Sequence, residues 1–380
     1  MIYADNAATT KIDERVLSEM IPFLTEQYAN ASQPYFFASL PKQALKEARE
    51  TIAQCIGALE EEIFFTCGGT ESDNWALKGF SSLYNNKNRV ITTQIEHHAV
   101  LNTAAALERA GVKADYMPVS REGLALPETM AEFLNGREGK EMPCLVSVMT
   151  ANNEIGTIMP IGELSRLAHE RGAYFHTDGV QALGHIAIDV NELGVDMLSA
   201  SAHKFNGPKG IGFLYIRKGV EIAPYADGGS QEASLRAGTE NVASIVGMAA
   251  ALKLNCAEIE SNSVKLLKME DIIIGKLTAE GLDFIRNGAG EHIPGNISLS
   301  FNNMEGEAIL HRLDLMGICV STGSACDSVN TQVSHVLKAI RTPEGYAKGT
   351  VRISLGKNNT PAQAERIADS LIKIVKTPRE

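Results

Sequence analysis

Four short stretches of this chain carry residue types that do chemistry. Ser199-Ala200-Ser201-Ala202-His203-Lys204-Phe205-Asn206-Gly207-Pro208-Lys209-Gly210 delivers a lysine from a run of small residues into a glycine- and proline-rich loop. Among apolar neighbours an ammonium is disfavoured, and a lysine so placed can form a Schiff base with a carbonyl. The same residue also reads as a solvated loop lysine. His176-Thr177-Asp178-Gly179-Val180-Gln181 puts a carboxylate at the end of an apolar run. There it either pairs with a cationic ring nitrogen or caps the next helix. Cys67-Gly68-Gly69-Thr70-Glu71-Ser72 reads as a phosphate cup built on Gly69 and Thr70, or as a tight turn with Thr70 as its cap. It lacks the Gly-Lys-Ser/Thr ending of a Walker loop. Ser321-Thr322-Gly323-Ser324-Ala325-Cys326-Asp327-Ser328 surrounds a cysteine with small polar residues, whereas Cys144 and Cys319 sit among apolar ones. Such a thiol is a nucleophile candidate or a loop cysteine without a role.

These stretches need a frame to hold them. Strands are expected at Ile63–Thr66, Arg89–Thr93, Cys144–Met149, Ala173–Thr177, Asp196–Ala200 and Ile211–Ile216. Between most of them, Glu71–Tyr84, Ala99–Ala110 and Gly162–Arg171 carry apolar residues at helical spacing. Alternating strands and helices imply an α/β fold with a mostly parallel sheet covered on both faces. Composition shifts after Asn241, where Val242–Lys276 reads as one long helix. Beyond it, Asn296–Phe301, Ile318–Val320 and Val351–Leu355 are expected to form a second, smaller sheet, with helices over Glu307–Met316 and Gln332–Ile340. Thr360-Pro361 supplies a cap and a first-turn proline for a last helix. The reading is a large domain over 13–256, and a smaller α+β domain over 1–12 and 257–380 that carries the Cys326 loop.

The chain has 380 residues, 44% of them hydrophobic, enough for two such domains. A net charge of -11 argues against nucleic acid or an anionic membrane as the main partner. Six scattered cysteines without a Cys-x-x-Cys pair fit neither a disulfide framework nor a zinc site, so no metal is expected. They read as reduced thiols of a cytoplasmic enzyme. The N-terminus has no basic and apolar leader pattern, and no apolar run approaches the ~20 residues of a membrane span.

Taken in order, the motifs resemble the cysteine desulfurases of the NifS/IscS type, within the class V aminotransferase-like enzymes of fold type I. The resemblance runs from Tyr3-Ala4-Asp5-Asn6-Ala7-Ala8-Thr9-Thr10 through Gly69-Thr70-Glu71-Ser72-Asp73-Asn74, Glu96-His97-His98-Ala99-Val100 and Asn152-Asn153-Glu154-Ile155-Gly156. It continues through the Asp178/Gln181 and His203-Lys204 segments, Arg236-Ala237-Gly238-Thr239, Gly323-Ser324-Ala325-Cys326 and Val351-Arg352-Ile353-Ser354-Leu355-Gly356. Each motif alone is weak; the eight from Gly69 to Gly356, in family order, are specific.

The resemblance implies a pyridoxal 5'-phosphate enzyme that converts L-cysteine to L-alanine and leaves the sulfur on Cys326 as a persulfide. Lys204 would hold the cofactor as an imine and handle the substrate's Cα proton. Asp178 would pair with the ring nitrogen and His97 would stack on the ring, while Gln181 and Asn153 would contact its oxygen and the substrate. Gly69, Thr70, Ser201 and His203 would hold the phosphate, with Thr239 of a second subunit completing the cup in a homodimer. Arg352, assisted by Asn30, would clamp the substrate carboxylate. The sulfur would pass to an acceptor protein, for iron–sulfur assembly or for thiolation of tRNA or cofactors. A selenocysteine lyase or an aminotransferase on the same fold are the alternatives.

Four features depart from the family pattern. Cys67 stands where serine is commoner. Asn30-Ala31-Ser32-Gln33-Pro34-Tyr35-Phe36-Phe37 replaces a proline- and histidine-containing segment. Asp327 follows the nucleophile, and a neighbouring carboxylate raises a thiol's pKa. The sequence stops at Thr377-Pro378-Arg379-Glu380, shorter than the tails many relatives use to dock a scaffold.

Overall fold

The computed structural model describes residues 1–135, 143–288, 290–322 and 333–377. The N-terminal part holds β1 (Ile2–Tyr3), α1 (Glu14–Thr25), α2 (Ser39–Ile56), β2 (Ile63–Thr66), α3 (Gly69–Leu83), β3 (Arg89–Thr93), α4 (His98–Arg109), β4 (Lys113–Met117) and α5 (Pro127–Asn135). Then come β5 (Cys144–Ser147), α6 (Ile161–His169), β6 (Tyr174–Asp178), α7 (Val190–Leu193), β7 (Met197–Ser201), β8 (Gly212–Ile216) and α8 (Val242–Ala279). The C-terminal part holds β9 (Phe284–Asn287), β10 (Asn296–Phe301), α9 (Gly306–Leu315), β11 (Ile318–Cys319), α10 (His335–Ala339), α11 (Glu344–Ala347), β12 (Thr350–Ser354) and α12 (Pro361–Lys376).

Seven strands form the main sheet in the order β2-β8-β7-β6-β5-β3-β4. Strands β3 to β7 run parallel, and β8 lies antiparallel to both β7 and β2. Every residue of β3, β5, β7 and β8 is buried, as expected where helices cover both faces. Successive residues feed opposite cores. Ile91, Val146 and Phe213 pack on one face, while Val90, Leu145 and Leu214 pack on the other around Trp75 and Phe80.

A second core gathers Leu299, Phe301 and Ile353 of the antiparallel sheet β12-β10-β9 with Ile309 of α9 and Leu371 of α12. Helix α8 serves both cores: Ile245 to Leu252 pack in the first, Leu266 to Leu277 in the second. One window of α8 is apolar enough, by length and composition alone, to cross a membrane. Its apolar residues instead pack against α1, α2 and α12. The apolar content that the sequence reading discounted is thus a core helix.

One expectation is corrected. Ile318–Val320 does not join the second sheet: β11 spans two residues and pairs in parallel with β1, Ile2 opposite Ile318. The strand is too short to add an edge, and the N-terminal segment occupies its free side. Residues 2–13 then run back to the large sheet, where Thr10 N–H donates to the His203 carbonyl at 2.9 Å.

Candidate active site

The C-terminal ends of β5, β6 and β7 open on a cavity of about 280 Å³. Its anion-binding end comes from the β2–α3 turn. Gly68 adopts φ +150°, a conformation other residues avoid, and leaves the start of α3 without a side-chain cap. The first-turn N–H groups therefore remain available to an anion. At Gly69 a Cβ would stand 2.6 Å from Val180 Cγ2, so only glycine allows this approach. Ser72 pins the helix to the sheet, its Oγ lying 2.8 Å from Thr66 Oγ1 and donating to the Phe213 carbonyl at 3.0 Å. Ser201 and His203 line the same end, and burial with the nearby Lys204 charge pushes His203 down to about 4. Cys67, beside the cup, is pushed up to about 11 by burial and Glu71, so its thiol stays protonated and poorly nucleophilic.

Asp178 ends β6 with 5% exposure, and its Oδ1 accepts from Val180 N–H at 2.9 Å. Burial raises its pKa, opposed by His97, that backbone bond and Lys204. Beside it lies a buried polar group that includes His176 and Asp73, the latter also lining the cavity. His176 is fully buried between Ser147 Oγ (2.9 Å) and Ser199 Oγ (3.0 Å), and burial holds it neutral, down to about 3. Asp73, 1% exposed, lies 3.7 Å from His176 Nε2. Burial and the Asp178 charge push its pKa well above aspartate's ordinary value. Asp73 stood inside a quoted motif, but no local pattern points an α3 side chain beneath the sheet's end.

Lys204 leaves β7 in a single helical turn. Its Nζ donates to the carbonyls of Ala7 at 2.7 Å and Ala8 at 2.9 Å. Gln181 Nε2 donates to the same Ala7 carbonyl at 3.0 Å, and Ala7 N–H donates to Ser354 Oγ at 2.9 Å. The N-terminal segment thus braces the lysine from the far side. His97 caps α4: its Nδ1 accepts from Ala99 N–H at 3.1 Å, and burial lowers its pKa. The ring is therefore neutral with its hydrogen on Nε2.

The opposite wall comes from the second sheet. Arg352 of β12 is 3% exposed and donates to Asp5 Oδ1 at 2.7 Å and to the Asn153 carbonyl at 3.1 Å. Its Nε is buried without a partner among the described residues. Asn153 sits in a turn fixed by Asn152, whose Oδ1 accepts from Glu154 and Ile155 N–H. His98, Glu154 and His335 also line the cavity, and the sequence reading assigned none of them.

Two expected residues lie elsewhere. Asn30 is not a wall residue; its Oδ1 accepts from Ser32 N–H at 2.9 Å in a local turn. Thr239 is exposed and away from this chain's own cavity. Cys326 and Asp327 lie outside the described residues.

Residues 2–367 match the aminotransferase class-V family, and the chain belongs to it. It is 46% identical to a protein named cysteine desulfurase IscS of Dictyoglomus turgidum, over 100% of this chain and 95% of that one. A solved NifS-like protein superposes with a TM-score of 0.91 at 38% identity, covering 98% of each chain. The structure titled SspA in complex with cysteine superposes at 0.82, with 34% identity over 93% of this chain and 99% of that one.

Proposed function

We propose that this chain is a pyridoxal-phosphate-dependent cysteine desulfurase that makes L-alanine from L-cysteine and carries the sulfur away on Cys326. One observation carries the reading. A single cavity presents a lysine amine, a buried carboxylate, a neutral imidazole, an uncapped helix start and an arginine. This set fits pyridoxal phosphate group by group. The α3 start with Ser201 and His203 suits the phosphate. Asp178 suits the ring nitrogen: burial disfavours its charge, and a cationic nitrogen supplies the missing counter-charge. Lys204 suits the aldehyde and His97 the ring face. When bound, the cofactor supplies an electron sink for charge left at the substrate's Cα.

The chain's own residues do the rest. Lys204 exchanges its carbonyl contacts for the substrate and moves the Cα proton on and off. Arg352 and Asn153 orient the substrate carboxylate. Cys326 takes the sulfur and hands it to an acceptor protein. We place this chemistry in a cytoplasmic homodimer in which Thr239 of one subunit reaches the other's phosphate site. We likewise divide the chain into a large domain over 13–256 and a small one over 1–12 and 257–380.

The test is direct. Purified protein loaded with pyridoxal phosphate should yield equal alanine and sulfur from L-cysteine, and borohydride should fix the cofactor to the peptide bearing Lys204. Absence of alanine, or a label elsewhere, refutes the reading.

A further inference from the structure

We propose that Asp5 is the positioning residue that aims Arg352 at an α-carboxylate, and that it thereby makes the cavity a site for α-amino acids rather than for simple amines. This rests on the reading above only for the assignment of Arg352 to the substrate carboxylate. An arginine carries its guanidinium on a long flexible stem, and a bidentate grip needs the planar fork held in one orientation. The base of this stem is fixed on both sides. Arg352 stands opposite Ser298 of β10, and on its other side its N–H donates to the Ser321 carbonyl at 2.7 Å while Ser321 N–H returns a bond at 3.0 Å.

The tip is fixed by two acceptors on different nitrogens. Asp5 Oδ1 takes Nη2 at 2.7 Å and the Asn153 carbonyl takes Nη1 at 3.1 Å. One contact would leave the plane free to turn; two define it. The remaining N–H groups, Nε–H among them, are left to grip a ligand. Asp5 is the only salt-bridge partner of Arg352 among the described residues, so it also offsets the charge of a guanidinium that is 3% exposed. Asp5 cannot follow a moving arginine, because its own segment is stitched to the strand that carries Arg352. It bridges to Ser354, Asn6 N–H donates to the Ser354 carbonyl at 3.0 Å, and Ala7 N–H donates to Ser354 Oγ at 2.9 Å. The next residues present the Ala7 and Ala8 carbonyls to Lys204 Nζ. One short segment thus sets the group that handles an amine against the group that handles a carboxylate. An α-amino acid, whose amine and carboxylate share one carbon, needs both; a simple amine needs only the first.

The experiment titrates full-length protein loaded with pyridoxal phosphate with L-alanine and with ethylamine, which is alanine without its carboxylate, and reads binding from the cofactor's absorbance. Asp5→Ala should bind L-alanine about 10-fold more weakly, the worth of a charged hydrogen bond. Ethylamine should bind as it does to wild type. Asp5→Asn is nearly isosteric and still accepts from Nη2, so it should show the same selective loss at a smaller size, and it serves if the alanine variant does not fold. KM for L-cysteine should rise with the L-alanine effect while kcat stays within about threefold. Asp5→Ala combined with Arg352→Lys should weaken L-alanine little more than the larger single effect, because both act on one contact. L-Alanine binding that is unchanged or tighter in Asp5→Ala overturns the proposal. An equal loss for ethylamine also overturns it, since the hold on Lys204 would then have been disturbed instead. Wild type that prefers L-alanine to ethylamine but makes no alanine from L-cysteine sinks the desulfurase reading and leaves the role of Asp5 standing.

Discussion

The two walls of the cavity are built differently. The wall from the large sheet sets its groups at strand ends and one helix start; Asp178 and His97 are fixed by contacts near in sequence, on Val180 and Ala99, while Lys204 reaches back to Ala7 and Ala8. The wall from the second sheet is assembled across long distances in the chain. Arg352 meets Asp5 and Asn153, 347 and 199 residues away in the chain. The first is a rigid holder for a cofactor; the second depends on how the two cores sit together. Substitutions in the first should remove chemistry, and substitutions in the second should loosen substrate placement.

Lys204→Ala should have the largest effect. Turnover should fall by about 1,000-fold or more, because one residue supplies both the covalent link and the base. The fold should persist, since His185 donates to the Lys204 backbone carbonyl and not to its side chain. Alanine release and the thermal midpoint check both halves. A large loss of stability would mean that the Ala7 and Ala8 contacts support the fold as well as the reaction.

Asp178→Asn should lower turnover by about 10–100-fold, the worth of a charged hydrogen bond. Asp73→Asn tests the buried carboxyl that lines the cavity beside Asp178. Burial raises the Asp73 pKa and favours its neutral form, so an amide should leave turnover nearly intact. A carboxyl whose pKa rises on folding contributes stability below its unfolded value that is lost as pH rises. Relative to wild type, Asp73→Asn should therefore gain stability above pH ~4, as read by denaturant melts across pH. A turnover loss equal to that of Asp178→Asn would show that Asp73 is charged. On the other wall, Arg352→Lys should raise KM by about 10-fold with kcat less affected, because a lysine replaces the planar fork with a point charge.

The same contrast decides what was legible in sequence. The parallel strands and the Lys204, Asp178 and Gly69–Thr70 segments are local patterns: an apolar run, then the reactive residue. Strands β3 and β10 were read to the residue. Strand β4 was missed because Lys113–Met117 is an edge strand of mixed polarity, half-buried along most of its length. Strand β11 was placed in the wrong sheet because pairing with the N-terminal residues leaves no local sign. Asp73, His98 and His335 escaped for that reason too. Their burial or pairing arises only when α3, α4 and α10 meet around the cavity.

The smallest effect is expected at the seam between the walls. The segment before β10 docks on the turn after Asn153: Ile293 N–H donates to the Gly156 carbonyl at 2.9 Å, and Thr157 bridges to His292. His292 is fixed by Glu270, with Nε2 to Oε2 at 2.8 Å, and that hydrogen bond raises the imidazole's pKa above its ordinary value. A raised histidine gives stability that is full below its unfolded pKa of ~6.5 and fades as pH rises through the folded value. His292→Gln should therefore lower the melting midpoint more at pH 6 than at pH 8. The difference should stay small, because Arg286 keeps Glu270 paired at 2.7 Å after the substitution. If the seam also sets Asn153, KM for cysteine should follow the same pH trend in the variant while kcat holds. A kcat that falls with it would mean that the two walls are less separable than their construction implies.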